Sequence, residues 1–242
     1  MPSQSDRHII ILTNDDGIDA PGIAALREAS SWLGDRRVIA PSGPRSGCGH
    51  VVTTHGPLGV HRLADGTTSV DGSPADCVRV ALHEFGSEVA WVLSGINAGG
   101  NLGADLHHSG TVAAVREAAI FGVPGIALSH YIARGRAVDW DQAARWASRV
   151  LRELLQLPHE PGSFWNVNLP HPEPGLEDPE IVMCPVDPSP LPLAYRPHES
   201  GLIYCGDYQS RPRRASSDVD VCFGGRIAVS RVHVISSVDP RG

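Results

Sequence analysis

The chain has 242 residues, 41% of them apolar, which allows one large domain with a sizeable core. Its net charge of −7 argues against nucleic acid as a partner, because polyanion binding wants a basic face. No apolar run approaches the roughly 18 residues of a membrane span, and the N-terminus lacks the apolar core of a signal peptide. A cytoplasmic protein without a membrane partner is therefore expected. The lysine-plus-arginine count of 20 is arginine throughout. Without lysine, P-loop nucleotide binding and Schiff-base chemistry are excluded. The cysteines, 5 in number and without a Cys-x-x-Cys pair, read as reduced thiols.

In chain order, Ile9 to Leu12 is a short β-branched run that reads as a buried strand of a parallel sheet. It breaks at once into Asn14-Asp15-Asp16-Gly17, then a turn and a helix from Ala24 to Trp32. Asp15 and Asp16 thus stand at the carboxyl end of the first strand, where open α/β sheets place ligands. Adjacent carboxylates repel, and a bound divalent cation is the economical explanation for keeping both charged. An Asp-Asp-Gly turn also has a purely conformational reading, since Asp bonds its own backbone and Gly accepts positive φ.

Arg37 to Pro41 reads as a second strand, followed by a Gly- and Ser-rich loop containing Arg45-Ser46-Gly47-Cys48-Gly49-His50. Val51 to Thr54 and Val60 to Leu63 suggest a β-hairpin. Ser73 and Pro74 start a helix running to Phe85, with Asp76 in its first turn. Val89 to Leu93 is the next buried strand and opens into Ser94 to Gly103. Ser109-Gly110-Thr111 precedes an Ala-rich helix from Val112 to Phe121, then a strand from Pro124 to Ser129. This alternation points to an α/β, doubly wound, mostly parallel sheet. Asp139 to Leu157 is an amphipathic helix with Trp140, Ala144, Ala147, Val150, Leu151, Leu154 and Leu155 on its core stripe. Beyond it the chain is proline-rich, with short strands at 165–168 and 180–183 and two β-segments expected within 218–238. The expected organisation is an α/β catalytic core, 1–160, and a β-containing extension, 161–242, that packs on the core or on a partner subunit.

Three polar loops converge at the carboxyl ends of the strands, as an active site on such a sheet requires. Asp15 and Asp16 offer anionic oxygens, and Ser46 and Asn97 offer neutral ones. That all-oxygen set suits magnesium, manganese or calcium. Ser109, Gly110 and Thr111 at a helix start form an anion cradle that needs no lysine, although an ordinary N-cap looks the same in sequence. His50, His107 and His108 are acid/base or substrate contacts, or simply polar loop residues. No nucleophile–base motif stands out, so in a phosphatase an activated water is the better nucleophile.

The motifs Ile-Leu-Thr-Asn-Asp-Asp-Gly-x-x-Ala-Pro-Gly-Ile (11–23), Arg-Ser-Gly-x-Gly-His (45–50), Asp-Gly-Ser-Pro-Ala-Asp-Cys-Val (71–78), Ser-Gly-Ile-Asn-Ala-Gly-x-Asn-Leu-Gly-x-Asp (94–105) and Ser-Gly-Thr-Val-Ala-Ala (109–114) occur in this order. Together they resemble the SurE (survival protein E) family of metal-dependent 5′/3′-nucleotidases. The resemblance is dense from about residue 8 to 130 and resumes at 165–170 and 218–232. It implies a Rossmann-like fold, a metal held by Asp15, Asp16, Ser46 and Asn97, and substrate phosphate at Asn101, Ser109, Gly110 and Thr111 with Asn14 close by. It further implies a C-terminal arm exchanged between subunits, giving homodimers or homotetramers. His108 stands where the family has tyrosine, and 171–215 scarcely follows the family pattern. The expected activity is hydrolysis of nucleoside monophosphates, with Asp15, Asp16 and Asn101 in the catalytic roles. A phosphatase for one small phosphorylated metabolite, or a metal- and nucleotide-binding protein without turnover, are the alternatives.

Overall fold

The computed structural model describes residues 8–172, 175 and 178–234. The opening apolar run forms β1 (Ile9–Thr13), buried along its whole length. Helix α1 (Pro21–Ala29) starts on a proline, whose missing N–H is an unpaired donor in any first turn. Strand β2 (Arg36–Pro41) lies parallel to β1, with Leu12 opposite Val38. Next come β3 (Val60–Arg62) and β4 (Thr68–Val70), an antiparallel pair whose second member joins β2 in parallel. Helix α2 (Pro74–Phe85) begins with a reciprocal cap. The Asp76 N–H donates to the Ser73 hydroxyl, and the Ser73 N–H donates to the Asp76 carboxylate. The chain continues through β5 (Val89–Ala98), a 3-10 turn at Gly103–His107, α3 (Gly110–Ile120), β6 (Gly125–His130), α4 (Trp140–Leu154) and β7 (Ser163–Leu169). After these lie β8 (Ile181–Met183), β9 (Tyr195–His198), β10 (Gly201–Tyr204), α5 (Asp218–Phe223) and β11 (Ile227–His233).

Among the described residues the main sheet runs β3-β4-β2-β1-β5-β6-β7-β11-β8, and β9 pairs with β10 apart from it. This is the expected α/β, Rossmann-like, mostly parallel sheet. β11 runs antiparallel to β7 and carries β8 beside it, so the chain's last third extends the same sheet. Strand order reverses at β1, which has β2 on one side and β5 on the other. The crevice outside that switch point is where doubly wound sheets bind ligands.

Side-chain alternation along β1 divides the core. Ile10 and Leu12 pack with α1 and α4 residues such as Leu26, Trp146 and Leu151 on one face. Ile9 and Ile11 pack with Val78 of α2 and with Val112 and Val115 of α3 on the other. Full burial of each such side chain contributes roughly 1.5–3 kcal/mol. No helix among the described residues is long and apolar enough to cross a membrane.

Two expectations are corrected. Residues 51–54 form no strand; the hairpin lies at 60–70 instead. The polar groups of 51–53 are taken up by α2, since Ser73 Oγ donates to the Val51 carbonyl and Thr53 N–H donates to Asp76 Oδ1 at 2.7 Å. Residues 218–223, expected as a β-segment, are helix α5. The alternation of Val219 and Val221 suggests a strand, but the Asp218 carboxylate accepts from the Val219 N–H at 2.8 Å and sits against the helix start. The part of that expectation beyond residue 234 lies outside the described residues.

Candidate active site

Where β1 ends, Asn14 ties the turn by donating from Nδ2 to the Gly17 carbonyl at 2.8 Å. Its Oδ1 is buried without a hydrogen-bond partner. Gly17 has φ of +103°, and a Cβ there would stand 3.1 Å from the Gly43 backbone, so glycine lets the β1 and β2 loops meet.

The two carboxylates that follow have different hydrogen-bond partners. Asp15 is buried and faces α3, accepting from Thr111 Oγ1 at 2.5 Å. A Cβ on Gly110 would lie 2.9 Å from Asp15 Cβ, which explains glycine as the first residue of α3. Burial pushes the Asp15 pKa up, the Thr111 hydrogen bond opposes this, and the neighbouring Asp16 charge raises it again. Asp16 is half-buried, its Oδ2 accepting from the Ala98 N–H at 3.1 Å at the carboxyl end of β5. Among the described residues neither carboxylate forms an ion pair with arginine or histidine.

Asn97 stands one residue before Ala98, opposite Ser129 of β6 after a register shift between Ser94 and Asn97. Such irregularities re-aim side chains next to sites. Its Nδ2 donates to the Gly99 carbonyl at 2.7 Å, so the amide nitrogen is engaged and Oδ1 is the group left to accept. Ser46 lies exposed in the loop between Arg45 and His50. The Arg45 N–H donates to the Asp15 carbonyl at 2.7 Å, and the Gly49 N–H to the His108 carbonyl at 3.2 Å. These bonds bring the loop to the carboxylate turn and to the approach of α3. Among the described residues no three of His, Cys, Asp and Glu converge as a metal cluster. A cation here would rest on two carboxylates and neutral oxygens.

On the cradle side, Ser109 Oγ accepts from the Val112 N–H at 3.0 Å and caps α3. The Thr111 hydroxyl is committed to Asp15, so what Thr111 and Gly110 offer an anion is their backbone N–H groups at the helix start. Asn101 is buried and held on several sides. Its N–H donates to Asn168 Oδ1 at 2.8 Å, its carbonyl accepts from Asn166 Nδ2 at 2.9 Å, and its Nδ2 donates to Ser129 Oγ at 2.8 Å. His107 and His108 are exposed.

Three supports were not read from the sequence. The Asn166/Asn168 pair on β7 is visible there only as an Asn-Val-Asn alternation. Glu117 of α3, buried on an otherwise apolar helix face, accepts from Arg79 Nε at 2.5 Å and stands 2.6 Å from His50 Nε2. A lone carboxylate within an Ala-rich stripe was its available signal. The third is a C-terminal clamp on the loop after Asn101. Gly103 N–H donates to Asp218 Oδ2 at 2.9 Å, while Tyr208 Oη at 2.5 Å and Arg211 Nη1 at 3.0 Å both donate to Asp105 Oδ2.

Comparison with known proteins shows similarity along most of the chain. The chain is 53% identical over 225 residues to "Putative 5′-nucleotidase alr3139" of Nostoc sp., covering 93% of this chain and 99% of that protein. It is 44% identical over 162 residues to "5′-nucleotidase SurE" of Geobacter sulfurreducens, covering 66% of this chain and 62% of that protein. The SurE protein of Aquifex aeolicus superimposes with a TM-score of 0.80 at 29% identity, over 95% of this chain and 94% of that one. The family model for survival protein SurE matches residues 10–186, which include the loops carrying Asp15, Asp16, Ser46, Asn97, Asn101 and Ser109. With β1, β5 and α3 meeting at the switch point as the motifs require, the chain belongs to the survival protein SurE family.

Proposed function

We propose that the chain is a divalent-metal-dependent phosphomonoesterase that releases phosphate from nucleoside 5′- or 3′-monophosphates. The observation that carries this reading is the apposition of buried Asp15 to the first turn of α3 at the switch point. It sets an anionic, oxygen-rich pole against backbone N–H donors, as a phosphate held partly through a cation requires. The family and the 5′-nucleotidase names of the relatives support hydrolysis of phosphoric monoesters.

Asp15, Asp16, Ser46 and Asn97 would hold the cation. The fit is chemical: the donors are all oxygen, the Asp15 carboxyl is buried without a cationic partner, and Asn14 Oδ1 beside it is an orphaned buried acceptor. A divalent ion bound there supplies Lewis-acid polarisation of phosphoryl oxygens and acidifies water. The chain's own groups do the rest. Asp15 or Asp16 takes the proton of the attacking water. The Asn101 amide and the Gly110 and Thr111 N–H groups stabilise charge on the phosphoryl oxygens as the ester bond breaks. Ser109 and Asn14 hold these donors in place through their caps and turns.

We further assign the chain to a homodimer or homotetramer, supported by the β9–β10 hairpin that stands outside the main sheet with Leu202 70% exposed.

The test is phosphate release from a panel of nucleoside monophosphates with manganese, magnesium or EDTA. Release that requires the metal is expected; release that survives EDTA unchanged overturns the reading. Asp15→Asn keeps the acceptor for Thr111 but removes the charge. It is expected to lose Mn²⁺ binding by calorimetry and to lower turnover by more than the roughly 10–100-fold seen when an outer-shell partner is lost. Unchanged Mn²⁺ affinity in that variant removes Asp15 from the metal set.

A further inference from the structure

Asn101 and the start of α3 carry the two sets of donors assigned above to the phosphoryl group. Residues 102–108 join them through the 3-10 turn Gly103–His107. Asp105 is the hub of this connection. Its N–H donates to the Leu102 carbonyl at 3.1 Å, and its own carbonyl accepts from the His108 and Ser109 N–H groups at 3.0 and 3.1 Å. Its Oδ2 also accepts from the Leu102 N–H at 3.2 Å. A shift of Asp105 is therefore passed to the neighbour of Asn101 on one side and to the α3 cap on the other.

The tail grips that hub. Tyr208 Oη donates to Asp105 Oδ2 at 2.5 Å, and Arg211 Nη1 donates to the same oxygen at 3.0 Å. Arg211 Nη2 donates to the Leu102 carbonyl at 3.3 Å. The Arg211 side chain is fully buried and stands over the Tyr208 ring, 5.0 Å from its centroid, so the two donors brace each other. Burial and the Asp105 charge push the Tyr208 hydroxyl well above its ordinary pKa, which keeps it a donor. Asp218 Oδ2 takes the Gly103 N–H at 2.9 Å and ties the same corner to α5. Contacts from elsewhere reach the far end of the segment. Arg116 of α3 donates to the Leu106 carbonyl at 2.8 Å, and the Gly49 N–H donates to the His108 carbonyl at 3.2 Å.

Ser129, Asn166 and Asn168 fasten Asn101 to β6 and β7. Those bonds set Asn101 on the sheet, and the 102–108 segment sets it against α3. Donors stabilise a developing charge best when they are already aimed at it. A misplacement of 1 Å can cost about 100-fold in rate. A charge-assisted fork in a buried setting is stiffer than an apolar contact, which suits a spacer of this kind.

We propose that Tyr208 and Arg211 are positioning residues for phosphoryl transfer. Through Asp105 they fix the spacing between the Asn101 amide and the N–H groups at the start of α3. The proposal rests on the nucleotidase reading above and brings the tail, far from the motifs, into the rate of the reaction.

The experiment begins with Tyr208→Phe, which keeps the ring beside Arg211 and Phe223 and removes the bond to Asp105. It is expected to lower kcat for adenosine 5′-monophosphate about tenfold and to leave KM within about twofold, as for an interaction realised in the transition state. Arg211→Lys keeps the charge but loses the fork that spans Asp105 and Leu102, and should cost about 100-fold in kcat. Mn²⁺ affinity by calorimetry should hold in both variants, because the expected metal ligands lie on other loops. Hydrogen exchange followed by mass spectrometry should quicken about tenfold in peptides covering 102–109 and stay unchanged in β1 and β5. Unchanged kcat in both variants overturns the proposal, whatever happens to the melting temperature. So does a loss that appears in Mn²⁺ affinity or in KM instead of kcat. An unmutated chain that releases no phosphate from any monophosphate refutes the nucleotidase reading. Faster exchange confined to 102–109 would then still uphold the clamp as the device that sets this segment, and unchanged exchange would remove it.

Discussion

Glu117 shows how far a single side chain reaches in this site. It is only 2% exposed and bridges Arg79 of α2 and His50, which lies in the same loop as Ser46. Burial alone would raise its pKa, but the bonds from His50 and Arg79 more than offset that and hold it below the usual glutamate value. Glu117→Gln keeps the shape and removes the charge. Because both partners remain partly open to solvent, the expected loss is about 1–3 kcal/mol, less than for a fully buried pair. Urea unfolding checks this, and a double-mutant cycle with His50→Gln should give a coupling above about 0.5 kcal/mol; additive losses would mean that the two do not interact. The carboxylate turn and the helix-start cradle were legible in sequence because each sits in one contiguous stretch at an element's end. Glu117 was not legible, since its meaning depends on a histidine 67 positions away.

At the scale of elements, β6 carries a titratable group into the core. His130 closes that strand at 2% exposure, lies 6.4 Å from Trp146 in a stacked arrangement, and donates from Nδ1 to the Tyr131 carbonyl at 2.7 Å. Burial lowers its pKa from 6.5 to about 4, against the opposing effect of that hydrogen bond. Between those two values the unfolded chain binds the proton and the folded one does not, so stability rises with pH in that window. Its contribution is full above about pH 6.5 and lost progressively down to about pH 4, on the order of 3 kcal/mol in all. Denaturation profiles at several pH values should therefore be flatter for His130→Phe than for the unmutated chain across that window. Parallel profiles would show that His130 titrates normally. Strand β6 itself was readable from its apolar run, as were β1, β5 and the helix α4. Helix α5 was not, because six residues with alternating valines carry a strand's period, and its start rests on Asp218 accepting from Gly103 and Asp187 far away in sequence.

Across the whole molecule, the tail that the motif pattern leaves undefined is wired into the site. Arg211, with a fully buried side chain, donates to Asp105 and to the Leu102 carbonyl, fixing the loop that follows Asn101. The family model ends at residue 186, short of Tyr208, Arg211 and Asp218. Between the clamp and β8 lies the β9–β10 hairpin, where Leu193 is 89% and Leu202 70% exposed, with Tyr195 and Tyr204 about half exposed beside them. A two-stranded hairpin is at best marginally stable in water by itself, and apolar tips of this kind want a cover. In the proposed oligomer a second copy supplies it. Charged residues there would leave the core untouched, because the hairpin contributes no residue to the buried clusters. Leu193→Glu with Leu202→Glu is therefore expected to reduce the mass measured by light scattering to that of the 25.7 kDa chain while leaving the thermal transition of the sheet domain in place. An oligomer that survives both substitutions places the contact elsewhere on the molecule. An unmutated protein that is already monomeric overturns the assignment to a homodimer or homotetramer.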